Sequence, residues 1–141
     1  MLEPLFQNEN VICELDEEIP VLRHRWLKEP RSEEFRDGLF AMQKIYLEHK
    51  SKYDDLKWLA DTELLGELNE DDENWLTSEW DHKLFVEAGV KVHAVILGDS
   101  IFADYPMEVF KKSSARKFVE MGIKLDVFAN EANAYKWMKE N

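Results

Sequence analysis

The sequence predicts an α/β domain with a mixed, largely parallel sheet and crossover helices. The first observation is that short β-branched runs alternate with amphipathic stretches, separated by brief connections. The second is that Val90 to Leu97 is dense in β-branched residues with no polar alternation, as in a strand covered on both faces. The third is size: 141 residues bury enough apolar surface for one domain, residues 1–141, without disulfides or metals.

Two strands open the predicted order, Asn10 to Leu15 and Ile19 to Leu27, joined by Asp16-Glu17-Glu18. In the second, alternation sets Val21, Arg23 and Arg25 against Leu22, His24 and Trp26, a mixed pattern expected near a sheet edge. Pro30 and Ser32 then mark a helix start, with Ser32 as N-cap and Glu33 and Glu34 complementing the helix dipole. Phe35, Leu39, Met42, Ile45, Tyr46 and His49 form its inward stripe, and Phe40 and Leu47 lie on its flank. The apolar run Leu56 to Ala60 reads as an inner strand.

A loop from Asp61 to Leu68 leads to a second helix, N-capped by Asn69, with Asp72 at the capping-box position. Leu76, Trp80, Leu84, Phe85 and Ala88 make the predicted stripe, and Gly89 ends the helix in the left-handed conformation. Trp75 falls off that stripe and is expected to be partly exposed. After the strand Val90 to Leu97, Gly98-Asp99-Ser100 turns out of the sheet and a third helix runs from Pro106 towards Met121, closed by Gly122. Ile123 to Phe128 is the last strand, and Asn130 caps a final helix bearing Ala134, Trp137 and Met138. The predicted order is ββαβαβαβα, with right-handed crossovers.

Composition narrows the function. A formal net charge of -12 opposes nucleic-acid binding, which depends on clustered Lys and Arg, and disfavours anionic membrane surfaces. From Trp58 to His82 there is no Lys or Arg, while nine acids from Asp61 to Asp81 fall in that stretch. No run of the sequence is long and apolar enough to span a bilayer, and no secretory signal pattern opens it. With a single cysteine, Cys13, and no glycosylation sequon, the expected compartment is the cytoplasm. Cys13 reads as a small buried side chain, since no His or Asn motif frames it as a nucleophile.

Sequence patterns for chemistry are weak throughout. An EF-hand register starting at Asp61 puts Leu65 at a ligand position and Asp72 in place of the bidentate Glu. Glu79-x-x-His82 occurs once, whereas di-iron bundles need two such pairs. His93 and Asp99-Ser100 sit at a strand and just past its carboxyl end, where α/β sheets hold ligands, but no nucleophile elbow accompanies them. Five glycines placed at element ends make no phosphate loop. No cofactor is expected and no catalytic residue is assigned.

The element order, Val95-Ile96-Leu97-Gly98-Asp99 and the helix Asn133-Ala134-Tyr135-Lys136-Trp137-Met138 resemble the SpoIIAA-like (STAS) superfamily of bacterial anti-sigma-factor antagonists, whose fold also includes CRAL-TRIO lipid-binding domains. The resemblance covers nearly the whole chain. It implies a STAS fold and a regulatory, non-enzymatic protein-binding role. The antagonists carry a phosphorylatable serine at the start of the second crossover helix; here Leu68-Asn69-Glu70-Asp71-Asp72 stands in that place, with no hydroxyl. The expected contact surface comprises Asn69, Glu70, Asp71, Asp72 and Trp75, with Asp99, Ser100, Phe102 and Tyr105 on a neighbouring segment. Its expected occupant is a protein partner or a second copy of the chain. The alternative is a small apolar ligand or lipid held around Gly98 to Phe110.

Overall fold

Along Val11–Asp16 buried and half-buried residues alternate, the mark of a strand with one face on a core. This strand, β2, pairs antiparallel with β1 (Leu2–Gln7) on one side and β3 (Val21–Trp26) on the other. Helix α1 (Ser32–Lys50) then crosses over to β4 (Lys57–Asp61), which lies parallel to β3. The computed structural model describes residues 2–98 and 120–141. Within them follow helix α2 (residues 70–87, α-helical at first and mainly π-helical after Trp75), then β5 (Val92–Ile96), β6 (Lys124–Phe128) and helix α3 (Glu131–Glu140). The described strands form one sheet in the order β1-β2-β3-β4-β5-β6. Its last three pairings are parallel and its first two antiparallel, so the sheet is mixed.

Two layers of side chains cover the sheet. On one face Cys13, Leu22, Trp26 and Trp58 meet Phe35, Leu39, Met42 and Tyr46 of α1 and Trp80, Leu84 and Phe85 of α2. On the other, Val21, Leu59, Ala94 and Ile96 meet Ala134 and Met138 of α3. Every residue of β4 is buried, as its short apolar run predicts. Gly38 lets α1 approach the sheet: a Cβ there would stand 3.0 Å from the Trp26 ring.

Four sequence expectations need correction. The order lacks β1, because Leu2–Gln7 has no period-two pattern and contains Pro4; as an edge strand with a register shift between Pro4 and Phe6 it tolerates that proline. Strand β3 is interior rather than near an edge. Arg23 and Arg25, which suggested a wet face, point instead to the α3 side and pair with acids there. The N-cap of α1 is Arg31, whose backbone N–H donates to Glu34 Oε1 at 2.9 Å, leaving the Ser32 hydroxyl to bind elsewhere.

The fourth concerns α2. Asn69 does cap it, accepting from the Asp72 N–H at 2.7 Å, but only Glu70–Trp75 is α-helical. Leu76–Trp80 and His82–Glu87 are π-helical, with the Asp81 N–H bonded to Leu76 O and Ala88 N–H to Lys83 O at 2.9 Å. A π-helix bonds residue i to i+5 and turns more slowly per residue than an α-helix, which brings residues five apart nearer to one face; Trp75, Trp80 and Phe85 all reach the core while Leu76 is left half-buried. Trp75, expected to be partly exposed, is 7% exposed. Gly89, at φ 73°, ends the segment as expected. Most of the predicted third crossover helix, Pro106 to Met121, lies outside the described residues.

Candidate functional site

The loop from β4 to α2 and the first two turns of α2 carry five of the expected contact residues. Asn69, Glu70 and Asp71 are exposed, but Asp72 turns inward and is 3% exposed. Its Oδ1 accepts from Ser32 Oγ at 2.7 Å and from Arg36 Nε at 2.9 Å, which ties the start of α2 to the first turns of α1. The Arg36 guanidinium also lies 5.0 Å from the Trp75 ring centroid, and its Nη2 donates to Asp71 O. The expected capping box is therefore half made: Asn69 holds the Asp72 N–H, and the Asp72 carboxylate serves another helix. Trp75 stacks on Trp80 inside the molecule, so it offers a partner no free aromatic surface.

What this region does present is a different side chain. Leu64 is 57% exposed, the most exposed large apolar residue described, and Glu63, Glu67, Glu70, Asp71 and Glu73 are exposed around the same loop and helix start. None of those five acids has an ion-pair partner among the described residues. Gly66, at φ 80°, makes the turn that follows Leu65, which points inward. Sequence reasoning missed Leu64 because Leu64 and Leu65 are adjacent and periodicity does not say which is buried in a loop. Asp99, Ser100, Phe102 and Tyr105, and the apolar site expected around Gly98 to Phe110, lie outside the described residues apart from Gly98 itself.

A second polar group lies across the sheet, at the carboxyl ends of β3 and β4. Arg25 Nε donates to Asp61 Oδ2 at 3.1 Å, and Arg23 and Arg25 both reach Glu131, the first residue of α3. Arg23 Nη1 also approaches the Tyr135 hydroxyl at 3.4 Å. Asp61 is buried and its other oxygen accepts from the Glu63 N–H at 3.2 Å, so the start of the Leu64 loop is anchored on this group.

The third group is buried under α1 and α2. Cys13 and His24 face each other across β2 and β3, and His24 packs edge-on to Trp58 at 5.4 Å. His93 meets Phe85 at 5.7 Å, and the Nδ1 atoms of both histidines are buried without a hydrogen-bond partner among the described residues. Burial pushes the Cys13 thiol up to about 12, aided by the nearby Glu14, and burial pushes His24 down to about 3, aided by His93. Burial alone brings His93 down to about 4. A neutral thiol beside a neutral imidazole is not an activated nucleophile.

Among the described residues, no group of three or more His, Cys, Asp and Glu side chains is arranged to hold a metal ion. His82 of the Glu-x-x-His pair lies 3.8 Å from Glu87. No described helix is long and apolar enough to cross a membrane. No family model matches this chain, and no curated protein or solved structure matches it.

Proposed function

We propose that this chain is a non-enzymatic protein-binding module that docks through the loop from β4 to α2 and the exposed acids at the start of α2. The observation that carries this reading is Leu64, an exposed apolar side chain amid acids that have no ion-pair partner among the described residues. Such a surface supplies an anchor to bury and a ring of charge to orient the approach, and it fits a basic partner with an apolar socket. Asp72 and Trp75 take part only indirectly, by fixing the helix start from within. The same proposal places the chain in the cytoplasm and its fold in the SpoIIAA-like superfamily. The alternation of strand and helix from β3 through α1, β4 and α2 to β5, and the positive φ of Gly98 after β5, support that fold.

The test is affinity capture from the native host with two baits, the natural chain and a variant combining Leu64→Ser, Glu67→Gln, Glu70→Gln and Asp71→Asn. Matching melting temperatures establish that both baits are folded. A protein recovered by the natural chain and lost with the variant is the expected result. Equal recovery removes this surface from the account.

A further inference from the structure

Residues two apart on a strand project from the same side of the sheet. In β3, Arg23 and Arg25 do so on the α3 side, at the end of the parallel strands where open α/β sheets hold ligands. One carboxylate stands between them: Glu131 accepts from Arg23 Nη1, and its second oxygen lies 3.6 Å from Arg25 Nη2. The three groups differ in exposure. The side chains of Arg25 and Glu131 are 40% and 43% exposed, so Glu131 is free to swing into solvent, whereas that of Arg23 is 6% exposed.

Arg23 is also incompletely used. A guanidinium recognises an oxyanion best through two parallel N–H groups, yet the Nε of Arg23 is buried with no hydrogen-bond partner among the described residues. Asp61 holds Arg25 by Nε, which leaves its Nη2 directed at Glu131. The N-terminus of α3 adds further donors: the Asn130 side chain accepts from the Asn133 N–H, while the amides of Glu131 and Ala132 have no acceptor among the described residues. Two arginines that meet at one carboxylate beside a helix start make a donor set that suits a tetrahedral oxyanion.

We propose that Arg23, Arg25 and the first turn of α3 form a site for a phosphate group, and that Glu131 occupies it until the phosphate displaces the carboxylate. Asp61 links this site to the start of the Leu64 loop, but the site does not depend on the protein-binding reading. Glu131 acts here as an internal competitor, so its removal and the removal of an arginine have opposite effects.

The experiment is calorimetric titration with inorganic phosphate at constant ionic strength, for the natural chain, Glu131→Gln, and Glu131→Gln combined with Arg25→Ala. Glu131→Gln is expected to bind phosphate at least about tenfold more tightly than the natural chain, and the double variant to lose saturable binding. No saturable binding by Glu131→Gln, affinity unchanged from the natural chain, or equal affinity in the double variant overturns the proposal. If Glu131→Gln does not fold by circular dichroism, the comparison moves to the natural chain and Arg25→Ala. Phosphate is then expected to raise the natural melting temperature above that in chloride of equal ionic strength and to leave Arg25→Ala unchanged; no rise in the first, or the same rise in both, overturns it.

Discussion

The indoles of Trp75 and Trp80 stack 5.8 Å apart with 24° between their planes, five residues apart on one helix. In an α-helix a five-residue step rotates a side chain well off the face of its predecessor; the slower rotation of a π segment reduces that offset. Trp80 also meets Trp58 at 6.2 Å, so the column continues onto the sheet. Trp80→Ala is expected to cost about 3–5 kcal/mol in urea unfolding, and Leu76→Ala only about 1 kcal/mol. Equal costs at the two positions would mean that the segment follows α periodicity after all.

Asp72 and its neighbours separate structural from exposed acid. Asp72→Ala leaves the Arg36 Nε and the Ser32 hydroxyl without their acceptor and is expected to destabilise the fold by about 1–3 kcal/mol. Glu70→Gln and Asp71→Asn, on exposed side chains, are expected to stay within about 0.5 kcal/mol of the natural chain. Chemical denaturation of the three variants checks the contrast.

The buried histidines are expected to contribute to the acid limb of stability. Folding lowers both from the ordinary 6.5, His24 to about 3 and His93 to about 4, by burial. Below pH 6.5 the unfolded chain takes up protons that the folded chain refuses, so their contribution is intact above 6.5 and is lost as pH falls towards 4. Each histidine contributes a slope approaching about 1.4 kcal/mol per pH unit in that window. Between pH 6.5 and 5 most carboxylates are still charged, so urea midpoints in this range isolate the effect. His24→Phe is expected to reduce the slope; an unchanged slope would assign the acid limb to other groups.

Gly38→Ala tests the approach of α1 to the sheet. Helix propensity alone favours alanine by about 1 kcal/mol. The added Cβ would meet a Trp26 ring that is 1% exposed and packed against Phe35 at 5.3 Å, with no room to withdraw. Overpacking of this kind costs about 1–3 kcal/mol, so thermal unfolding is expected to show no gain and a net loss of about 1 kcal/mol.

The sequence makes the parallel half of the sheet readable because its strands are short apolar runs bounded by clear punctuation at Asn69, Gly89, Gly122 and Asn130. Leu2–Gln7 escapes because Pro4 contradicts a strand in any but an edge position, and sequence does not say which strand is the edge. The charged residues of β3 mislead for a related reason. Arg23 and Arg25 find their acids in Asp61 and Glu131, far along the chain, and local alternation cannot see such pairing. At the candidate surface, the Asn69 cap is legible from local spacing, whereas the inward turn of Asp72 depends on Ser32 and Arg36 of another helix. The five-residue spacing of Trp75, Trp80 and Phe85 was the available signal for the π segment, overridden by the equally regular 3.6-residue stripe through Leu76, Trp80 and Leu84.

In the described sheet each strand from β2 onward is laid beside the strand that precedes it in the chain, and none is inserted between two earlier ones. A growing polypeptide can therefore add each strand to the exposed flank of what has already emerged from the ribosome, closing only the loop just synthesised. Assembly needs no wait for a distant segment until α3, whose Glu131 reaches back to Arg23 across most of the chain. That helix follows every described strand in the chain, so it covers the second face of the sheet only after all six described strands have been made.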